Sequence, residues 1–258
     1  MAHKILVLSP LHNMGTTVVS SMLAQGVTYA GKSSTLVFTD KNSYIPKYLG
    51  VEGLDDPTRS ITQVVELIDN AAIENRDILT YAHTYAKNAF LMNTANPSLS
   101  DAFKLQTVQY VYERVTSDVV VCDCSDDIDS TLVSELLELS NMVLIVVKPS
   151  LKVIDYMKNW LEYSVLKGNP NIFIVVNEYN ETIASLRDFC KALSFPANRV
   201  CKLHYNPWIP KCCFNGTLPT ILPLTMNLDY RVANIVGDIN EINQAILSDI
   251  LISNKKGF

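Results

Sequence analysis

The chain has no excess of basic residues. Its 258 residues include 21 Lys and Arg against 26 Asp and Glu, which gives a formal net charge of −5. Binding to a nucleic-acid backbone depends on clustered positive side chains that replace counterions around the phosphates. We therefore do not expect a nucleic acid as a partner.

Long apolar runs are also missing. No run reaches the roughly 18 residues that a membrane span requires. The apolar run from Ile5 to Ser9 is too short for the core of a signal peptide. These absences predict a cytoplasmic protein with no direct membrane span, so that recruitment to a membrane or a cell pole would depend on partners.

The cysteines do not form the pattern of a secreted disulfide framework. There are six, at positions 122, 124, 190, 201, 212 and 213, and their spacing favours reduced thiols. Cys122 and Cys124 flank Asp123 and are expected to pack into the core on one side of a strand. Cys201, His204, Cys212 and Cys213 have suitable chemistry for zinc, but their spacing matches no usual zinc pattern, and no zinc is expected.

Alternating apolar runs and amphipathic segments dominate the rest of the chain. Strands are predicted at about 4–9, 34–39, 89–93, 118–123, 142–147, 171–176 and 199–204, and helices at about 16–30, 60–75, 101–116, 129–140, 152–166, 182–193 and 229–252. Continuous runs such as Val143 to Val147 are typical of strands that are covered on both faces. This order predicts a single α/β domain over residues 1–258, a doubly wound and mainly parallel sheet with helices on both faces.

The segment over residues 9–24 joins the first predicted strand to the first predicted helix. Such a turn offers backbone N–H groups and a helix N-terminus to an anion, normally assisted by a lysine and by a hydroxyl that binds Mg²⁺. Thr17 can supply that hydroxyl, whereas Thr16 stands where the lysine would be.

Three polar residues fall just past the ends of other predicted strands: Asp40, Asp123 and Asn177. Ligands of parallel sheets bind at the carboxyl ends of the strands, so these side chains should converge on one crevice. Each also has a simpler interpretation, because an isolated Asp often caps a helix and an Asn often begins a turn.

The order of these features resembles the ParA/MinD family of deviant Walker A P-loop ATPases. Leu11 to Thr17 is similar to the phosphate loop, Leu36 to Asp40 to the second strand, Asp118 to Asp127 to switch II, and Leu203 to Lys211 to the loop over the base. The triplet Gly15 to Thr17 is most similar to the TadZ, CpaE and BcsQ-like branch, whose P-loop is degenerate.

The resemblance implies a role for each matching residue. Asp40 would orient the attacking water if the protein is active, Thr17 and Asp123 would bind Mg²⁺, the latter through water, and Asn177 would read adenine. The residues that would contact ATP or ADP are Asn13, Met14, Gly15, Thr16, Thr17, Val18, Asn177, Pro207 and Trp208. The family also implies a homodimer and partners among the proteins of a membrane-associated, secretion or pilus machine.

The loop departs from the family pattern at both lysines, which are replaced by Leu11 and Thr16. Because phosphoryl transfer depends on positive charge at the phosphates, we expect a positioning or assembly factor with weak or no hydrolysis that acts through ATP-dependent dimerisation. Two alternatives stay open. One is an active ATPase that localises a pilus, secretion or envelope machine and takes its cation from Lys41 or a dimer partner; the other is a nucleotide-free scaffold. Segments 41–58 and 76–100 have no predicted role.

Overall fold

The computed structural model is an eight-stranded sheet with helices on both faces. It describes residues 2–40, 43–53, 65, 75–93, 101–125, 128–162, 166, 169, 171–183, 185–222 and 232–255. The strands are β1 (His3–Leu8), β2 (Ser34–Phe38), β3 (His83–Ala86), β4 (Ala89–Asn93), β5 (Val119–Asp123), β6 (Met142–Val147), β7 (Ile172–Tyr179) and β8 (Val200–His204). They lie in the order β3-β4-β2-β5-β1-β6-β7-β8. All neighbouring pairs are parallel except β3 and β4, which confirms the predicted mainly parallel sheet.

The helices follow the strands in the alternation that the sequence predicted. In the described part of the chain they are α1 (Thr16–Tyr29), α2 (Ile45–Leu49), α3 (Asp101–Arg114), α4 (Thr131–Leu139), α5 (Leu151–Glu162), α6 (Leu186–Leu193), α7 (Trp208–Phe214) and α8 (Ala233–Lys255). Ser130 and Ser185 cap α4 and α6 by accepting hydrogen bonds from backbone N–H groups, which satisfies donors that have no partner within a helix. None of the helices in this part of the chain is both long and apolar enough to cross a membrane.

Two hydrophobic clusters cover the two faces of the sheet. Successive residues of a strand point to opposite faces, so Leu6 and Leu8 of β1 lie in one cluster and Ile5 and Val7 in the other. Each fully buried side chain of this size stabilises the fold by about 1.5–3 kcal/mol. The sheet is therefore a rigid platform for the loops at its edges.

Cys122 of β5 and Cys124, just after it, lie where the sequence placed them. Cys122 and Cys124 belong to one cluster, on the same face of the sheet. An apolar stripe packs on the other face: Val232, just before α8, and Ile235, Ile239, Ile242 and Ile246 of α8 are fully buried or nearly so. The predicted packing of the two cysteines on one side of a strand is confirmed.

Three segments differ from the sequence-based expectation. The segment Pro207 to Lys211, predicted as a loop, enters α7 at Trp208. The short helix α2 lies in segment 41–58, where no helix was predicted, and β3 forms an unpredicted antiparallel hairpin with β4. Most of the predicted helix over 60–75 lies outside the described residues, as do Lys41, Asp126 and Asp127.

The carboxyl ends of the central strands bring the predicted site residues together. Asp123 pairs in register with Val7 of β1 and with Phe38 of β2. The loop after Leu8 and the residue Asp40 therefore emerge on either side of Asp123. This edge, which we call the carboxyl edge, is where ligands bind in doubly wound sheets.

Candidate functional site

The loop between β1 and α1 is a tight turn with two left-handed residues. The hydroxyl of Ser9 accepts a hydrogen bond from the Leu11 N–H at 3.3 Å and also donates to the Leu11 carbonyl. Asn13 and Gly15 have φ angles of 64° and 92°. Asn tolerates this region better than most residues, and Gly has no penalty there. The loop thus makes its tight turn with Asn13 and a single glycine, Gly15.

The N-terminus of α1 points into the site. Gly15 precedes the helix, no side chain caps it, and its first turn contains no acidic residue. The first N–H groups of a helix have no carbonyl partner within it and carry the positive end of the helix dipole. This end of α1 is therefore suited to an anion.

Asp123 lies beneath the loop as a buried carboxylate. Its Oδ2 accepts a hydrogen bond from the Thr17 hydroxyl at 3.0 Å, and its Oδ1 accepts one from the Ser20 hydroxyl at 3.2 Å. The side chain is 6% exposed. Burial raises its pKa to about 6, although hydrogen bonds from Thr17, Ser20 and Thr16 act in the opposite direction. The structure thus brings Thr17 and Asp123 together as the sequence predicted.

A polar cavity of about 790 Å³ opens above this pair. We call it the phosphate cavity. It is lined by the β1–α1 loop, including Asn13, Thr16 and Thr17, together with Asp40 and Lys148. Oxygen-rich and N–H-rich walls of this kind can hold a charged group and its counter-ions.

A second and more apolar cavity of about 510 Å³ adjoins the first. We call it the base cavity. Gly15, Val18, Tyr44 and Tyr48 line both cavities. The remaining walls come from α2, from β7, from the end of β8 and the residues after it, and from α7: Lys47, Asn177, Glu178, His204, Tyr205, Asn206, Ile209, Pro210, Cys213 and Phe214. Aromatic and apolar walls with a few polar groups are typical of a site for a planar ring.

Asn177 joins the base cavity to the loop. Its side-chain N–H donates to the Met14 carbonyl at 2.8 Å, and the residue is 5% exposed. A Cβ atom at Gly15 would lie only 2.2 Å from the Asn177 Nδ2 atom. Gly15 is therefore required both by its φ angle and by this close approach.

Pro207 and Trp208 do not line either cavity. Pro207 precedes α7, and the N–H of Trp208 donates to the Asn206 side chain at 2.9 Å. The Trp208 ring packs on the apolar face of the core, and Lys211 lies 4.2 Å from its centroid. Because this segment is helical, the α7 side chains that line the base cavity are those of Ile209, Pro210, Cys213 and Phe214.

The Met14 side chain likewise packs against the core, so Met14 meets the site through its carbonyl group. Its predicted contact with a nucleotide stays a prediction.

Several residues of the two cavities were not found from the sequence. Tyr44, just before α2, and Tyr48 on α2 stack with their ring centroids 5.9 Å apart, and their spacing of four residues was a readable signal. His204 is held by Asp238, which contacts the ring Nδ1 at 2.8 Å and accepts the His204 backbone N–H at the same distance. Asp238 lies on α8, far along the chain, and nothing local indicates this pairing.

The described residues include no cluster of three or more His, Cys, Asp or Glu side chains that could hold a metal ion. All six cysteines are buried and unpaired by disulfides. The oxygen donors of Thr17 and Asp123 nevertheless suit Mg²⁺, which is usually held by one or two protein oxygens, waters and substrate phosphates.

Comparison with known proteins gives structural matches only. Neither a protein-family model nor a curated protein sequence matches the chain. Among solved structures, a ParA family ATPase from Chlorobium tepidum superposes with a TM-score of 0.70 at 13% identity, covering 92% of this chain and 97% of that one. The MinC:MinD cell division protein complex of Aquifex aeolicus matches with a TM-score of 0.69 at 14% identity, covering 93% and 95%.

The septum site-determining protein MinD of Pyrococcus horikoshii, solved with Mg-ADP, matches with a TM-score of 0.68 at 14% identity, covering 96% of this chain and 99% of that one. At such low identities, the superpositions establish the architecture and not the activity. The chain has the fold of the ParA/MinD-type P-loop ATPases.

Proposed function

We propose that the protein binds ATP or ADP with Mg²⁺ and acts as a positioning or assembly factor through ATP-dependent dimerisation and partner binding. The observation that carries this proposal is the junction of two cavities at Gly15, one polar beside a helix N-terminus and one aromatic. A nucleotide has the same two parts, an anionic chain and a planar base. The combined shape and chemistry favour it over a ligand with only one of them.

The phosphates would lie at the N-terminus of α1. Asn13, Thr16 and Thr17 line this space, and the backbone N–H groups of the helix start suit anionic oxygens. The Thr17 hydroxyl and the Asp123 carboxylate would hold Mg²⁺, Asp123 through water. The cation supplies charge neutralisation between phosphate oxygens.

The base would lie in the aromatic cavity beside Asn177. An amide side chain both donates and accepts hydrogen bonds, which suits the amino group and ring nitrogen of adenine. One Asn177 N–H is used by Met14, so the remaining N–H and the carbonyl oxygen are the groups for base recognition. Phe214 is 91% exposed at the rim of this cavity, where a bound ring would cover part of it.

Hydrolysis is expected to be weak or absent. Leu11 and Thr16 carry no charge where the family pattern has lysines, and loss of a preorganised cation at a transferring phosphoryl group costs on the order of 10²-fold in rate. Asp40 lines the phosphate cavity and is the residue that would orient water if the protein is active. A regulated binder that assembles with protein components of a membrane-associated or secretion machine is therefore favoured over an efficient ATPase.

Competition against a fluorescent ATP analogue tests the proposal directly. ATP and ADP should displace the analogue better than GTP in Mg²⁺, and Asn177→Ala should remove this preference. Asn180→Ala is the matched control, because Asn180 follows the same strand and its side chain accepts hydrogen bonds from Thr182 within a turn. Absence of binding by the wild-type protein, or equal binding of GTP, would contradict the proposal.

Sedimentation velocity tests the assembly step. More dimer is expected with ATP than with ADP or no nucleotide, and a single unchanged monomer boundary in all conditions would contradict that part. Phosphate release measured in parallel, with Asp40→Asn as the control, separates a binder from an active ATPase.

A further inference from the structure

Lys148 occupies the phosphate cavity although it is not part of the P-loop. It follows β6, the strand that lies beside β1 in the sheet, and it lines the cavity together with Thr16 and Asp40. Among the cavity residues that the structure describes, Lys148 carries the only Lys or Arg side chain. Lys47 lines only the base cavity, where its ammonium lies 5.0 Å from the Tyr44 ring.

The Lys148 ammonium is held by Glu178. The Nζ atom lies 2.7 Å from the Glu178 Oε1 atom, with the two side chains 33% and 46% exposed. Glu178 lines the base cavity, so this ion pair bridges the boundary between the two cavities. Partly exposed ion pairs contribute little to stability, about 0–1 kcal/mol, and this one can exchange partners at low cost.

The backbone of β7 is distorted at Glu178. Its φ angle is 52°, and the β7–β8 register shifts between Asn177 and Tyr179. A bulge of this kind changes the direction of a side chain relative to regular alternation, and a non-glycine residue in the left-handed region is strained. The distortion places Asn177 and Glu178 on the base cavity together.

We propose that Lys148 supplies the cation that the loop lacks at positions 11 and 16, and that Glu178 holds Lys148 beside the cavity until a phosphate chain replaces it. This inference rests on the proposed nucleotide binding. Two or three phosphates carry more negative charge than one half-exposed carboxylate, so Lys148 transfers from Glu178 to the phosphates. Its flexible stem allows this movement without a change in the sheet.

Binding of ATP, ADP and adenosine to Lys148→Gln tests this role. ATP and ADP should bind about tenfold to hundredfold more weakly, the range typical for loss of a hydrogen bond to a charged group. Adenosine, which has no phosphate, should bind within about twofold of wild type. The unchanged adenosine affinity shows that the Gln variant is folded, and Lys148→Arg, which keeps the positive charge, should keep most of the ATP affinity.

Lys32→Gln is the matched control for the lost charge. Lys32 also pairs with a carboxylate, at 3.7 Å from Asp118, but at the opposite edge of the sheet. Its removal should leave all three affinities unchanged. The role of the Glu178 carboxylate is tested in the same way. Glu178→Gln should strengthen ATP binding a few fold. Glu181→Gln, which removes the exposed carboxylate partner of Lys202, should leave ATP binding unchanged.

The outcomes separate this inference from the proposed function. If wild type binds ATP and Lys148→Gln binds it equally well, Lys148 is not the cation and nucleotide binding stands. An equal loss of ATP and adenosine affinity, or weaker ATP binding by Glu178→Gln, also overturns the inference. If wild type binds none of the three ligands, both proposals fail.

Discussion

Asp118 directly precedes strand β5 and Asp123 is its last residue, yet the two carboxylates have different surroundings. Asp118 lies just before β5 at the amino edge of the sheet, where it accepts hydrogen bonds from the Ser33 N–H at 2.8 Å and hydroxyl at 2.9 Å, and Lys32 lies nearby. These hydrogen bonds lower its pKa. Asp123 ends β5 at the carboxyl edge, where burial raises its pKa to about 6.

The comparison separates a carboxylate whose charge is compensated within the protein from one that is buried beside a polar cavity. The charge of Asp118 is compensated by its neighbours within the protein. The carboxylate of Asp123 accepts hydrogen bonds from two hydroxyl groups, and it forms no ion pair with the residues that the structure describes. It lies beneath a cavity that suits Mg²⁺ and phosphates. Perturbed acids of this kind are concentrated at binding sites because the ligand supplies the missing compensation.

The largest expected effect is the loss of stability when one methyl group is added to a glycine at either edge of the sheet. Gly15→Ala should destabilise the protein by about 3 kcal/mol, because strain at its positive φ adds to a clash with Asn177. Gly31 also has a positive φ but meets nothing within 4 Å, and Gly31→Ala should cost about 1 kcal/mol. Urea unfolding measures both. Equal losses would show that the close approach at Gly15 has no energetic weight.

The second effect concerns ligand binding. Asp123→Asn should weaken Mg²⁺-dependent ATP binding by about tenfold or more, because a charged oxygen near the metal is lost. Asp118→Asn is the control at the other end of the strand and should bind as wild type does. Titration calorimetry with and without Mg²⁺ measures the difference, and an unchanged affinity in Asp123→Asn would remove this carboxylate from the proposed metal site.

The third effect is a gain in stability from the same Asp123 substitution without ligand. A raised pKa in the folded state means that the ionised carboxylate is disfavoured there. The resulting loss of stability is therefore absent below pH 3.8, grows as the pH rises, and is complete above about pH 6. Asp123→Asn should therefore raise the free energy of unfolding by about 1–2 kcal/mol at neutral pH, after allowance for a weakened hydroxyl contact. Urea unfolding in EDTA across this pH range should show the gain disappear in acid. A constant gain would contradict the assignment to ionisation.

The smallest effect has the opposite sign. The lowered pKa of Asp118 means that its carboxylate stabilises the fold above the usual value of 3.8 and that this contribution disappears as the pH falls through the lower folded value. Asp118→Asn should cost about 1 kcal/mol at neutral pH, since the group is half-exposed. The same unfolding series measures it. If Asp118→Asn instead gained stability at neutral pH, the carboxylates at the two ends of β5 would have the same effect on folding, and the comparison would fail.

Much of the framework was predictable because its signals are local. Apolar runs such as Met142–Val147 indicate buried parallel strands wherever they occur, and the positions after those runs identified Asp40, Asp123 and Asn177. The lengths of the helices were less predictable. The helix predicted from 182 begins at Leu186, where Ser185 accepts a hydrogen bond from the Asp188 N–H.

Helix α7 lies where the family resemblance implied a loop over the base. Pro207 precedes the helix and Pro210 lies in its first turn, so neither proline prevents it. The first N–H groups of a helix need no partner within it, so proline is tolerated there. The base cavity therefore receives Ile209, Pro210, Cys213 and Phe214 from a helix, and not Pro207 and Trp208 from a loop.

By itself, the sequence determined the alternation of strands and helices, the place of the β1–α1 loop and the acids after the strands, because each depends on neighbouring residues. Only the tertiary structure decided which distant side chains meet: His204 with Asp238, Gly15 with Asn177, and Lys148 with Glu178. Those meetings depend on strand order, on register and on one bulge in β7. Such features arise from packing over the whole sheet, for which no short stretch of sequence carries the signal.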